Sequence, residues 1–491
     1  MPLNKTTNLE EVIQSAQKAY EHFKQRNVQE RAALMQSIAT AIEQLGPELI
    51  ETAQAETHLP QARLQGEKAR TVNQWRLYAS AIASGTVLDL RIDTPNGGEN
   101  APAVDIRKMS TPLGVVAVFG ASNFPFAFST AGGDTASAIA AGNAVVVKGH
   151  PGHPKTAEIM GKAIQRAIEK EGYPKGLFGQ VFGELQIGQE LVTHPLVKAV
   201  GFTGSFQGGK ALYDLANTRT VPIPVFSEMG SVNPLFLLPE CLKHAQPELA
   251  EQYVGSLTLG TGQFCTNPGL LVVQKGTGLE AFITHAKAAL EKRPAEKMLH
   301  QGISSAYFTS LGKMIDHPEI EVIARGKKGE DGEGQATLAT TTAASFLKNE
   351  AFCGEVFGPF GLIITCENRT EMEAIAAGLE GQLTTTLLAE ESELSGYQSL
   401  VDLLQEKCGR LIFNNFPTGV AVCYGMQHGG PFPAATDSRF TSVGPDAIKR
   451  FMRPLSYQNW PEEGLPCELK NENTLNLYRT VNGIITQEKI K

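Results

Sequence analysis

Apolar residues recur at helical spacing through the first ~85 positions: Ile13, Ala16, Tyr20 and Phe23, then Ala33, Ile38 and Ile42. The stretch from Leu88 to Ala103 is rich in Asp, Pro, Gly and Asn and predicts turns. Val104-Asp105-Ile106-Arg107 then alternates apolar and polar, as a half-exposed strand does. Such a strand, outside the main sheet, invites pairing with another subunit. From Gly114 the pattern changes. Short, wholly apolar runs at Gly114–Phe119 and Ala144–Val147 flank a small-residue helical stretch, Thr130–Ala141. An amphipathic helix over Lys155–Glu171 and short strands at Gln180–Phe182 and Ala199–Phe202 follow. Apolar strands alternating with helices predict a parallel sheet covered on both faces. Such sheets bind ligands at the carboxyl ends of their strands.

A second alternating series begins near Val225. Its strands are predicted at Leu235–Leu238, Leu270–Val273, Leu362–Thr365, Thr384–Leu388 and Arg410–Asn414, and its helices at Thr277–Leu290 and Thr370–Gly378. Gly326–Gly334 is charged and glycine-rich and reads as an exposed loop. The tail after Arg450 carries Pro454, Pro461 and Pro466 and reads as an extended arm that packs on something, a neighbouring subunit included.

Composition narrows the function classes. A chain of 491 residues suggests two to four structural units, and 42% hydrophobic with 19% charged residues suits a large core. The net charge of -8 argues against a nucleic-acid partner, which calls for a basic face. No stretch approaches ~18 uninterrupted apolar residues, so no membrane span is expected. The opening MPLNKTTNLEEVIQ lacks the apolar core of a secretory signal. Seven cysteines, an odd number without a CxxC pair, form neither a disulfide framework nor a zinc site. Reduced thiols in a cytoplasmic protein without a bound metal are the expectation.

Three places carry candidate chemistry. No GxGxxG follows a strand. Instead Gly201-Phe202-Thr203-Gly204-Ser205 follows the run Val197–Val200 and opens a helix, where free N–H groups and the helix dipole suit a pyrophosphate. Lys148, at the end of its strand, either reaches a ribose or phosphate or stays solvated. Cys265 in Gln263-Phe264-Cys265-Thr266-Asn267-Pro268-Gly269 lies between two candidate elements, and Glu228 in Ser227-Glu228-Met229-Gly230 ends the strand Val225–Phe226. A thiolate that attacks a carbonyl and loses hydride leaves a thioester, whose hydrolysis needs a base. One Cys and one Glu suffice for this without a histidine; the plainer alternative is a buried Cys and a surface Glu. Asn123, in Ala121-Ser122-Asn123-Phe124-Pro125, either donates to an oxyanion or serves turn geometry.

In order along the chain, SNFP, the VVVK strand end, GFTGS, SEMGSVNP, GQFCTNPG, EVFGP and GGPFPAATDSRF together resemble the aldehyde dehydrogenase superfamily. The resemblance implies an α/β fold of two parallel-sheet domains plus a small β oligomerisation element. Residues 1–100 and 113–226 would form the dinucleotide-binding domain and 227–445 the catalytic domain. Residues 101–112 and 446–491 would be the oligomerisation strand and arm of a homodimer or homotetramer. It also implies that Cys265 is the nucleophile, Glu228 the general base and Asn123 the oxyanion donor. Lys148 would bind the adenosine ribose, Gly204 and Ser205 the pyrophosphate and Glu355 the nicotinamide ribose, with Phe357 beside the nicotinamide. The wording GQFCTNPG and HGGPFPAATDSR is most similar to members that oxidise 2-oxoglutarate semialdehyde (2,5-dioxopentanoate), and also resembles NADP-dependent fatty aldehyde dehydrogenases. Many NAD-preferring relatives carry a glutamate three residues after the lysine. Here that position is Pro151, so NADP is permitted, with NAD as the alternative. A CoA-acylating relative is disfavoured by the presence of Glu228, and a non-catalytic relative by the intact Cys265, Glu228 and Asn123. For the distal end of a small aldehyde substrate, Arg439 is a candidate cation, with a structural salt bridge as its alternative.

Overall fold

The structure, a computed structural model, describes residues 8–95, 102–244 and 247–490. Positions 96–101 of the stretch read as turns therefore lie outside the described residues. Four helices open the chain: Leu9–Phe23, Val28–Glu43, Pro47–Thr57 and Gln61–Ser84. The second starts with a capping box, in which Asn27 accepts from Gln29 and Glu30 N–H while the Glu30 carboxylate accepts from Asn27 N–H. The fourth is 24 residues long and stops at Gly85, whose φ of 80° suits glycine.

The first sheet is entirely parallel. Its strands lie in the order Phe178–Val181, Ala144–Lys148, Val115–Phe119, Val197–Thr203, Val225–Glu228. All five residues of the central Val115–Phe119 strand are buried, which is why the sequence shows an unbroken apolar run there. In register, Phe119 faces Lys148 and Phe202, and Thr203 faces Glu228. Asn123, Lys148, Gly204, Ser205 and Glu228 therefore all lie at or just beyond one edge of this sheet, the carboxyl ends of its strands.

The second sheet runs Glu321–Arg325, Thr337–Thr342, Phe360–Cys366, Leu270–Gln274, Leu235–Leu237, Gln382–Leu388, Cys408–Phe413. Only its edge strand Glu321–Arg325 is antiparallel. The neighbouring strand Thr337–Thr342 carries no apolar run, and its buried threonines leave no hydrophobic signal.

The third sheet changes the reading of both the short alternating strand and the tail. The strand spans Ile106–Pro112, later and longer than Val104–Arg107, and both of its edges are taken within the chain. Met452–Gln458 pairs antiparallel on one side and Arg91–Asp93 on the other. Arg479–Val481 and Ile484–Thr486 complete the sheet. The tail is thus a set of paired strands and not only an extended arm, and the alternating strand does not present a free edge to a neighbour. Ala447, Ile448 and Phe451, on the tail side of residue 446, pack instead in the core of the first sheet. Buried Arg450 holds Asp134 there at 2.7 Å. No helix among the described residues is long and apolar enough to cross a membrane.

One buried amide joins these parts. Asn143 Oδ1 accepts from Leu113 and Gly114 N–H, while its Nδ2 donates to Ala138 O and Phe451 O. Replacing it leaves buried backbone groups unpaired, at about 1–3 kcal/mol each. Asn143→Ala is expected to lower the thermal transition by several degrees in a melting experiment; an unchanged midpoint contradicts this role.

Candidate active site

Cys265 is placed by a tight turn. After the helix Pro247–Thr258, Gly260, Thr261 and Gly262 all take positive φ, at 54°, 58° and 64°. A Cβ on Gly262 would collide with the backbone of Gly358, so only glycine passes here. The turn delivers Gln263, whose Oε1 accepts from Leu299 N–H at 3.0 Å. Half-buried Cys265 follows, its carbonyl held by Asn233 Nδ2 at 2.9 Å. Asn233 itself is left-handed (φ 47°) and is fixed by Gln382, whose Oε1 accepts from Ser231 Oγ and from Val232 and Asn233 N–H.

Glu228 ends its strand fully covered. Beside it, residues 434–436 run back along the first sheet: Met229 N–H donates to Ala434 O and Thr436 N–H to Ser227 O. The same returning segment supplies two groups the sequence reading did not use. His428 is completely buried, with Nε2 3.4 Å from Cys265 Sγ and 2.9 Å from Glu228 Oε1. The ring N–H points along the sulfur contact; the carboxylate contact falls off that axis, and Glu228 Oε1 has no hydrogen-bond partner among the described residues. Ser442 Oγ donates to the other carboxylate oxygen, Oε2. Cys265 and Glu228 do come together, and the His428 imidazole is in contact with both.

Charge follows from this geometry. Burial alone would raise the Glu228 pKa, but His428 and the Ser442 hydroxyl outweigh it and hold the carboxyl below its ordinary range. For His428, burial disfavours the cation, but Glu228 and Cys265 overcome it and raise the imidazole above its ordinary 6.5. Both shifts run in the direction of the charged pair, Glu228 as carboxylate and His428 as imidazolium. The ligand atoms of Glu228, Cys265 and His428 lie within 4.8 Å of one another, close enough to hold a metal ion as well as to share a proton.

Asn123 is buried beside this group. Its Nδ2 donates to Gln263 O at 3.1 Å, and its backbone carbonyl accepts from Arg63 at 2.7 Å. The Glu67 carboxylate accepts from Phe126 and Ala127 N–H and so fixes the turn that carries Asn123. Cys265, Glu228 and Asn123 are thus brought into one site.

The residues assigned to a dinucleotide form two groups. Lys148 ends its strand half-buried, its pKa lowered by burial, while Gly204 N–H donates to Glu228 O. Ser205 caps the helix Phe206–Asn217, its hydroxyl accepting from Gly208 N–H at 3.3 Å. Across the cleft, Glu355 and Phe357 line one crevice with Val232 and Phe264. Burial pushes the Glu355 carboxyl up to about 7. A Cβ on Gly230 would collide with that carboxylate.

Arg439 does not reach the site. Its side chain is 80% exposed and pairs with Asp437, the structural alternative. The cations that do approach come from the helix Gln61–Ser84. A cavity of about 690 Å³ is lined by Arg63, Glu67, Arg70, Phe124, Gln263 and Phe264, within the size range of small-molecule sites. Arg63, Glu67 and Arg70 stand in none of the motifs that mark the site in the sequence.

Residues 1–452 match the model of the Aldehyde dehydrogenase family. The chain is 46% identical over 479 residues to Alpha-ketoglutaric semialdehyde dehydrogenase 2 of Azospirillum brasilense, covering 97% of this chain and 91% of that protein. It is 44% identical over 485 residues to Alpha-ketoglutaric semialdehyde dehydrogenase of Acinetobacter baylyi (strain ATCC 33305 / BD413 / ADP1), covering 98% and 92%. Among solved structures, methylmalonate-semialdehyde dehydrogenase from Oceanimonas doudoroffii shares the fold, with a TM-score of 0.79 at 20% identity over 94% of this chain and 92% of that one. With a match spanning most of its length, the chain belongs to the aldehyde dehydrogenase family and is an NAD(P)-dependent aldehyde dehydrogenase.

Proposed function

We propose that the protein oxidises 2-oxoglutarate semialdehyde to 2-oxoglutarate through a thioester on Cys265. The near full-length identity to two proteins named for that substrate carries the reading. The site supports it chemically. The His428 ring N–H, 3.4 Å from Cys265 Sγ, stabilises negative charge on the sulfur as it attacks. The thiolate attacks the aldehyde carbon, and the Asn123 amide and the Cys265 backbone N–H receive the oxyanion.

The surroundings fit a dinucleotide. The helix N-terminus at Ser205 offers N–H groups to a pyrophosphate, and the close approach at Gly230 admits the Glu355 carboxylate only because no Cβ intervenes. Lys148 would hold the adenosine ribose, Gly204 and Ser205 the pyrophosphate and Glu355 the nicotinamide ribose, with Phe357 against the nicotinamide. When bound, the dinucleotide supplies the hydride acceptor that turns the tetrahedral adduct into a thioester. Pro151 places no carboxylate against a 2′-phosphate, so NADP is accepted alongside NAD.

Glu228 then takes a proton from the water that attacks the thioester; one of its carboxylate oxygens lies within 4.8 Å of the sulfur, near enough for one water to touch both. His428 stabilises the thiolate as it leaves. A buried base beside the sulfur favours release by water over transfer to CoA. Ile484 and Ile485, 70% and 74% exposed on the edge strand of the third sheet, support a homodimer or homotetramer. A cytoplasmic location is part of the same proposal.

Three outcomes are expected. In a kcat/KM panel run with NAD and NADP, 2-oxoglutarate semialdehyde should exceed long-chain aldehydes by at least about tenfold, the order set by a site with polar anchors. A long-chain aldehyde as the best substrate contradicts the assignment. Because the His428 cation persists above pH 6.5, alkylation of Cys265 by iodoacetamide should show no inflection near that pH. His428→Gln should slow it at pH 7 by on the order of tenfold. An unchanged rate removes His428 from this role.

A further inference from the structure

The wall of the 690 Å³ cavity that Gln263 and Phe264 also line holds two guanidinium groups that no step above uses. Arg63, Glu67 and Arg70 are spaced four and three residues apart, so they share one helix face. Neither arginine forms a salt bridge within the described residues. Arg63 lies over Phe124 at 4.9 Å and over Phe264, the neighbour of Cys265, at 4.7 Å. One of its terminal nitrogens bonds Asn123 O, and the other has no partner among the described residues. Arg70 lies over Phe128 at 5.1 Å, and that ring is 6.1 Å from the His428 ring. Both terminal nitrogens of Arg70 are buried without a partner among the described residues.

A buried guanidinium edge without an acceptor is costly, and a bidentate carboxylate is the group that matches it. Glu67 does not serve: one of its oxygens is committed to the Phe126 and Ala127 N–H groups, and neither oxygen bonds Arg70. The two guanidiniums outnumber the single carboxyl of Glu67 on this helix face, which suits a substrate with a carboxylate at its far end. Burial lowers the pKa of both arginines, and the nearby Glu67 opposes it.

We propose that Arg70, supported by Arg63, binds the distal carboxylate of the aldehyde substrate and so selects short ω-carboxyl aldehydes over uncharged ones. This rests on the substrate reading above and adds the residue that enforces it. The aromatic rings beneath the two guanidiniums keep water away and fix the plane in which the carboxylate is met.

The test compares 2-oxoglutarate semialdehyde and glutaric semialdehyde, which carry the carboxylate, with pentanal, which does not. In Arg70→Met, kcat/KM for both carboxylated aldehydes should fall roughly 10–100-fold, mainly through KM, as expected for loss of a charge-assisted pair. Pentanal should change by less than about threefold by the same reasoning. Arg70→Lys, which keeps the charge without the fork, should recover part of the loss. A parallel fall with pentanal, or unchanged KM for the carboxylated aldehydes in both variants, overturns the proposal. If the unaltered enzyme prefers carboxylated aldehydes and Arg70→Met keeps that preference, only the Arg70 assignment fails. If the unaltered enzyme ignores the carboxylate, the substrate reading fails with it.

Discussion

A carboxylate withdrawn from water needs a compensating charge, and in this enzyme the His428 imidazole lies 2.9 Å from Glu228 Oε1, next to the reactive thiol. Desolvating two charges costs several kcal/mol per ion, and the loss is offset only where the geometry is tight and other polar groups assist. Here the second Glu228 oxygen is taken by Ser442, and His428 Nε2 lies between carboxylate and sulfur. Three distant stretches of chain must converge for this to happen. The first sheet ends a strand at Glu228, and a left-handed turn in the second unit delivers Cys265. The segment from His428 to Ser442 crosses back and pairs with the Glu228 strand through Ala435. The cross-domain pairing and the catalytic contact depend on the same few residues, so folding and chemistry are linked at this point.

The parallel sheets were legible because buried parallel strands are apolar on both faces. The runs at Val115–Phe119 and Ala144–Lys148 are wholly or almost wholly covered and show as unbroken hydrophobic stretches. The threonine-rich strand Thr337–Thr342 is mostly buried yet nearly silent, since its hydroxyls hide the burial from a hydropathy pattern. The tail misled for another reason. Proline at 454 suggests an extended arm, yet it sits within the strand Met452–Gln458 paired to Ile106–Pro112. Pairing over more than three hundred residues leaves no local trace.

The site divides the same way. Cys265, Glu228 and Asn123 stand in short motifs whose order along the chain carries the family resemblance, so they were found. His428 stands in the motif HGGPFPAATDSR, yet a lone histidine before two glycines gives no sign of what it faces. Its partners lie 163 and 200 residues away, as the numbering of Cys265 and Glu228 shows. Arg63 and Arg70 were hidden differently. Charged residues on a helix ordinarily face solvent, and only the fold reveals that this face lines a cavity. Arg439, chosen for its place in a motif, is held at the surface by the neighbouring Asp437.

The claim that Cys265 carries the acyl group until Glu228 activates water is tested most directly in Glu228→Gln. The variant is mixed with 2-oxoglutarate semialdehyde and oxidised cofactor, quenched in acid within the first turnover, and mapped by peptide mass spectrometry. One reduced cofactor per site and an acyl group on Cys265 alone, with the other six cysteines unmodified, is the expected result. Steady turnover without a trapped acyl group, or an adduct on a different cysteine, would contradict it.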